Sequence, residues 1–247
     1  MTDSNMTEIS DLLTPLNLEQ SLGKINELFG RDAVFTTSFG LEDQVITHAI
    51  FKNNYSIRVV TLDTGRLFRE TYELHRLTLD KYGKQIETYF PNASDLEPFL
   101  LNNGPDSFYS SIEQRKECCH IRKVIPLDRA LKTAKIWITG IRKEQSGTRG
   151  DMPKVELDVA KDIIKVHPIL DWTWEETWKY VRENHIPYNS LHDKGYPSIG
   201  CAPCTRAIEP GEDFRAGRWW WENENTKECG LHWVDGKLTP KKGMKTE

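Results

Sequence analysis

Apolar residues recur at helical spacing through residues 17–30 (NLEQSLGKINELFG), with Asn17 placed as an N-cap and Gly30 as the stop. A short β-rich run, Ala33 to Thr37, follows, then Ser38-Phe39-Gly40, then an amphipathic stretch from Glu42 to Lys52. That stretch opens on two acids, which the positive end of a helix favours. Residues 33–52 therefore read as strand, tight loop, helix. The alternation then repeats. Ile57 to Leu62 is a buried strand, Asp63-Thr64-Gly65 a turn, and Leu67 to Tyr82 a long helix closed by Gly83. Gln85 to Phe90 is a third strand, and Ser94-Asp95-Leu96-Glu97 has the spacing of a capping box at the head of another helix. Residues 107–135 are expected to be helical in pieces, broken near Pro126, and Ile136 to Thr139 is a fourth strand ending at Gly140. This spacing predicts an α/β fold, a mostly parallel sheet flanked by helices.

Beyond Gly140 the periodicity weakens. Residues 141–151 (IRKEQSGTRGD) are polar and read as a loop. A hairpin is expected from about Val155 to Val166, turning around 158–162. Thr173-Trp174-Glu175-Glu176 is a second capping box, opening a helix to about Asn184. From His185 onward Gly and Pro are dense and little regular structure is expected. The expected organisation is a single domain overall. Residues 1–200 are expected to form the α/β body with the Cys-Cys segment, and 201–247 a C-terminal segment with a C-x-x-C, an Arg pair and a mobile tail.

Composition narrows the classes. A formal net charge of −4 argues against bulk affinity for nucleic acid. No apolar run approaches the ~20 residues needed to cross a bilayer. The opening MTDSNMTEISDLL is acidic and lacks the basic and apolar regions of a secretory signal, so the cytoplasm is expected, where thiols stay reduced. Five cysteines there are ligands or catalysts before they are disulfides. Cys118 and Cys119 are poorly placed to pair with each other, since adjacent Cα atoms lie about 3.8 Å apart, below the usual disulfide span.

Cys201 and Cys204 have a ligand spacing that also serves a redox dithiol or half a zinc site. The other half is contiguous, Cys118-Cys119. Neighbouring thiolates are awkward around one tetrahedral ion but reach separate corners of a cuboidal cluster, so iron–sulfur is favoured over zinc, with unligated thiols third. Cys229 stands apart in KECGLH, where Lys227 and His232 favour a reactive thiolate; a stray exposed thiol is the plainer reading. The loop at Ser38 and Gly40 suits an anion, or is an ordinary strand-to-helix turn. Ligands in open α/β sheets sit beyond the carboxyl ends of strands, which would bring Ser38, Leu62-Asp63-Thr64 and Gly140 to one crevice. Arg142, Arg149, Arg215, Arg218 and Lys123 offer cations for phosphate or sulfate oxygens, or are solvated surface charge. The run Trp219-Trp220-Trp221 reads equally as core, lid or interface.

The stretches CCHIRK (118–123), CAPCTRAIEPGEDFRAGRWWWE (201–222) and KECGLH (227–232) resemble the assimilatory adenylyl-sulfate reductases of the phosphoadenylyl-sulfate reductase family. TTSFGLEDQVI, TLDTGRL and TGIRKEQSGTR extend the likeness over nearly the whole chain. The resemblance implies an adenine nucleotide alpha-hydrolase-like fold, related to the N-type ATP pyrophosphatases. It implies a [4Fe–4S] cluster on Cys118, Cys119, Cys201 and Cys204. It implies that Ser38, Leu62, Thr64 and Gly140 approach the nucleotide, that Lys123, Arg149, Arg215 and Arg218 face its phosphosulfate, and that Cys229 is the nucleophile. The implied reaction is reduction of adenylyl sulfate to sulfite and AMP through a Cys S-sulfo intermediate, in sulfate assimilation and cysteine biosynthesis. Thioredoxin or a glutaredoxin-type protein is the implied reductant, and a homo-oligomer is left open. The neighbouring alternative is a phosphoadenylyl-sulfate reductase or a dual-substrate enzyme. A tRNA-thiolating ATP pyrophosphatase would need an S-G-G-x-D-S loop that this chain lacks, and a zinc-stabilised binding module leaves Cys229 without a role.

Overall fold

A computed structural model describes residues 3–145 and 152–222. Six strands form one sheet in the order β3-β2-β1-β4-β6-β5. The strands are β1 (Ala33–Thr37), β2 (Arg58–Leu62), β3 (Glu87–Tyr89), β4 (Ile136–Ile138), β5 (Val155–Asp158) and β6 (Ile163–Val166). Every pairing is parallel except β5 with β6, the expected hairpin. β1 lies between β2 and β4, so the chain runs outward from β1 first to one side and then to the other. That reversal opens a crevice at the carboxyl ends of β1 and β4.

The pleat decides which side chains fill which layer. Ala33 and Phe35 of β1, with Ile136 and Ile138 of β4, join the larger core, while Val34 and Trp137 point to the opposite face. Both faces are covered, as a parallel sheet requires. The larger core takes α2 (Leu18–Phe29), α3 (Leu41–Lys52) and α8 (Trp174–Glu183). The smaller takes α7 (Ile125–Leu131) through Leu127, Ala130 and Leu131. Phe35 is fully buried, and its truncation to Ala would cost about 3–5 kcal/mol.

The local signals hold where the partners they need are close in sequence. Asn17 Oδ1 accepts from Gln20 N while Gln20 Oε1 accepts from Asn17 N, and Thr173 and Glu176 form the same reciprocal box ahead of α8. Gly83 ends α4 (Arg69–Tyr82) with a left-handed backbone, φ 60°.

Two expectations are corrected. The helix α5 (Ala93–Asn103) starts after Asn92, two residues ahead of the Ser94 box, with no side-chain capping bond; Asn92 Nδ2 instead donates to Asp95 Oδ2 at 3.1 Å. Pro126 does not break the helical stretch. After α6 (Ile112–Cys119) the chain widens into a π-type turn, His120–Val124, in which Ile125 N–H reaches back to the His120 carbonyl; this re-registers the ladder ahead of the residue that has no donor. The acidic start, to which the periodicity assigned no element, forms a helix, α1 (Asp3–Leu13), which seats Leu13 in the larger core with Met6 and Ile9 against it.

A third apolar cluster stands apart from the sheet layers. It unites Phe99, Phe108, Ile121 and Trp219 with Cys118, Cys119, Cys201 and Cys204.

Candidate functional site

At the switch point a cavity of about 250 Å³ opens between the ends of β1, β2 and β4 and the segment from Ser198 to Arg218. Ser38, Leu62, Thr64, Lys123, Gly140, Arg215 and Arg218 all line it, so seven residues named from sequence are brought together. Arg149 and Cys229 lie outside the described residues.

The β1 end of the crevice is acidic. Asp43, in the first turn of α3, turns its carboxylate back onto the loop: Oδ2 accepts from Ser38 N at 2.6 Å, Ser38 Oγ at 2.8 Å and Gly40 N at 3.3 Å. The donors expected to cradle an external anion are thus engaged by the chain's own acid. Burial pushes the Asp43 carboxyl up to about 6, against the lowering effect of those hydrogen bonds. A β-carbon on Gly140 would fall 2.4 Å from Asp43 Oδ1, so the close approach of β4's end to this acid requires glycine. Glu42, also at the crevice, is buried and receives Arg142 Nε at 2.8 Å. Arg142 is fully buried, which removes it from the cations offered to substrate.

The opposite end is cationic. Lys123, Arg215 and Arg218 reach it from two distant parts of the chain. Arg218 is almost buried; Nη1 donates to Ser198 Oγ at 3.3 Å, and its guanidinium lies flat enough on Gly200 that a β-carbon there would sit 2.3 Å from Nη2. Its guanidinium carbon is 4.8 Å from the Trp219 ring, whose other neighbour is Arg115 at 4.7 Å. Arg115 is itself paired in a two-pronged contact with Glu222, Nε to Oε1 and Nη2 to Oε2, both at 2.8 Å. Trp219 is therefore core, while Trp220 is exposed and packs edge-on against Trp221.

Behind the cationic end the four cysteines line a second, smaller cavity with Arg66, Arg115, Arg122 and Lys123. Lys123 and Cys201 belong to the walls of both cavities. All four cysteines are buried thiols, with no disulfide recorded among them. Thr64 Oγ1 lies 3.3 Å from Cys201 Sγ, and Arg122 Nη1 donates to the Thr64 carbonyl at 2.6 Å. Burial pushes the Cys118 thiol up, and pushes Cys204 up to about 12 with the charge of Cys201 adding to it, opposed by Lys123 and Arg218. Such thiols keep their protons unless a metal draws them off. Among the described residues no group of three His, Cys, Asp or Glu is arranged to hold a single ion. What fits a metal cluster here is the donor chemistry: four buried sulfurs from two segments, with cations around them to offset negative charge.

Sequence reading did not single out Asp43 or Glu42 as residues of the site. The acids at the head of α3 were legible only as a helix start, and nothing local shows that one of them folds back over the loop.

The parallel sheet with ligand-sized crevice at its reversal defines an adenine nucleotide alpha-hydrolase-like α/β protein, here with a thiol chamber attached. Residues 32–207 match the phosphoadenosine phosphosulfate reductase domain, and the chain belongs to that family. It is 50% identical over 228 residues, 92% of this chain and 87% of the relative, to the adenosine 5'-phosphosulfate reductase of Agrobacterium fabrum. A solved structure, phosphoadenylyl-sulfate reductase from Candida auris in a phosphate complex, is 27% identical, with TM-score 0.71 over 84% of this chain and 98% of that one. The FMN adenylyltransferase of Candida glabrata, 15% identical with TM-score 0.52, covers 92% of this chain and 80% of its own and shares the fold alone.

Proposed function

We propose that this chain reduces adenylyl sulfate to sulfite and AMP, with a thioredoxin-type dithiol as the electron donor. One observation carries the reading: the crevice is acidic where it meets the β1 loop and cationic where it meets Lys123, Arg215 and Arg218. A molecule with a neutral nucleoside at one end and a phosphosulfate at the other matches that polarity, and the relatives named adenosine 5'-phosphosulfate reductase supply the substrate class. Residues 1–200 then provide the nucleotide-binding body and 201–247 the parts that act on the sulfur.

In this reading Ser38, Leu62, Thr64 and Gly140 receive the nucleoside, and Lys123, Arg149, Arg215 and Arg218 the phosphosulfate. The Cys229 thiolate attacks the sulfate sulfur and the bond from that sulfur to the bridging phosphate oxygen breaks. AMP leaves with the electron pair, and Cys229 carries an S-sulfo group. A thiolate of the reductant then attacks Cys229 Sγ and expels sulfite; its second thiol resolves the mixed disulfide, so the dithiol supplies both electrons. The first step brings an anion to an anion. The cations at that end offset the repulsion and stabilise charge gathering on the leaving phosphate. Cys118, Cys119, Cys201 and Cys204 would hold a [4Fe–4S] cluster, which when bound contributes a fixed charge and a tie between two segments. Reduced thiols and a thioredoxin-type donor suit the cytoplasm. Among the described residues no helix is long and apolar enough to cross a membrane.

The test is sulfite release from adenylyl sulfate and from phosphoadenylyl sulfate with reduced thioredoxin present. Sulfite from adenylyl sulfate, abolished in Cys229→Ser with AMP binding retained, is the expected result. Sulfite from the 3'-phosphorylated nucleotide alone would move the chain to the neighbouring activity, and turnover by Cys229→Ser would overturn the nucleophile.

A further inference from the structure

Arg142 lies two residues beyond Gly140, yet it faces away from the crevice. Its Nε donates to Glu42 Oε1 at 2.8 Å, and its Nη1 to Glu144 Oε2 at 2.6 Å and to the Trp172 carbonyl at 3.2 Å. Glu144 Oε2 also accepts from Trp174 N at 2.7 Å, which fixes the head of α8 to the same group. Two rings pack on the guanidinium: its carbon is 5.5 Å from the Trp174 ring and 6.0 Å from that of Phe214. Those rings meet edge to face at 5.2 Å. Phe214 is thus held by one cation and one indole that belong to other parts of the chain.

The residue after Phe214 is Arg215. Arg215 N donates to Asp213 Oδ1 at 2.8 Å, and its carbonyl accepts from Arg218 N at 2.9 Å, so Phe214, Arg215 and Arg218 share one tight turn. Phe214, Arg215 and Arg218 line the crevice; Arg142 and Trp174 are not among the residues that do. The turn has no helix or strand of its own to hold it. Among its fixed points are the Thr205–Arg218 bridge and the Arg206 N bond to the Gly217 carbonyl on the thiol side, and the Phe214 ring on the other.

We infer that Arg142 and Trp174 are positioning residues of the substrate site: the seat they make for Phe214 sets Arg215 at the cationic end of the crevice. The inference rests on the reading of that end as the phosphosulfate site. The sequence offers Arg142 as an anion ligand like its neighbours, whereas the fold uses it to aim one of them.

The experiment measures dissociation constants of adenylyl sulfate and AMP by titration for the full chain and for Trp174→Leu, Trp174→Phe, Arg215→Ala and the double variant Trp174→Leu/Arg215→Ala. Trp174 is half-buried, and thermal melting confirms that each variant folds. Trp174→Leu should weaken adenylyl sulfate about fivefold, the size of a lost cation–ring and ring–ring contact, with AMP unchanged. Trp174→Phe, which keeps a ring, should recover most of that loss. The double variant should bind no worse than Arg215→Ala, because residues acting through one another are not additive. Equal losses for both nucleotides, no rescue by Phe, or an additive double variant would each overturn the inference. Turnover of the unaltered chain is scored separately: failure to release sulfite sinks the functional reading, while the titrations still decide whether Trp174 acts through Arg215.

Discussion

The two walls of the crevice are built by different means. The floor, with Ser38, Leu62, Thr64 and Gly140, consists of residues at or just beyond the carboxyl ends of three parallel strands, and ladder hydrogen bonds fix those ends. The cover, from Cys201 to Glu222, contains only one short 3₁₀ turn, Ala202–Cys204, and two isolated bridges. Beyond these bridges and a few isolated backbone bonds it is held by side chains: Arg115 on Glu222, Arg206 on Glu212, Arg218 on Gly200, and Phe214 in its aromatic seat. The walls also differ in charge, acid below and cation above. A wall made of backbone survives most single substitutions, whereas one made of buried polar contacts can fail on one.

That contrast can be broken most severely at Glu222. Arg115 and Glu222 have side-chain exposures of 0% and 3%, and Glu222→Ala leaves the guanidinium buried without its carboxylate. A loss of about 3–5 kcal/mol is expected in chemical denaturation, and a change below 1 kcal/mol would show the cover does not depend on the pair. The floor's weak point is steric. Gly140→Ala drives a methyl group against Asp43 Oδ1 and should cost about 1–3 kcal/mol, with AMP affinity falling in step. Unchanged AMP affinity would place the nucleoside elsewhere. Arg215→Ala should leave stability alone and weaken adenylyl sulfate about tenfold more than AMP, roughly 1.4 kcal/mol; equal weakening would erase the polarity of the crevice.

The floor can also be tested through a pH dependence. The Asp43 carboxyl rises from 3.8 to about 6 on folding, so the folded chain binds its proton more tightly than the unfolded chain does. Its contribution to stability is full below the unfolded value and is lost as pH rises through 6. The melting temperature of the unaltered chain relative to Asp43→Asn should therefore fall between about pH 4 and pH 7 and level off above. A difference that stays flat across that range would mean the acid is better solvated than its burial implies.

The floor was legible in the sequence because its signals are short-range. The Asn17 and Thr173 boxes, Gly83 and the β5–β6 hairpin each need partners within a few residues, and each forms. The convergence of Ser38, Thr64 and Gly140 followed from the rule that ligands sit beyond the carboxyl ends of parallel strands. Legibility failed where distant or competing partners decide. The helix α5 starts after Asn92 without the capping box that Ser94 offered, a widened turn carries the helical stretch past Pro126, and α1 is secured by contacts with the larger core. Asp43 and Arg142 were misjudged for a related reason. Asp43 was read only as part of a helix start and Arg142 as an anion ligand or surface charge, and only the folded chain shows one acid closing its own loop and one guanidinium buried beneath two rings.

The Arg115–Glu222 clasp joins residues 107 apart in sequence. During synthesis β1, β2 and β3 can pair while the second half of the chain is still being made. The clasp cannot close until residue 222 has emerged, and the tandem thiols wait on Cys201 and Cys204 for their partners. Because closing long loops comes late and adds little until the distant contact forms, the crevice is the last part of the molecule to be completed. A ribosome stalled before Cys201 would therefore display a sheet with an open floor and only half of its sulfurs.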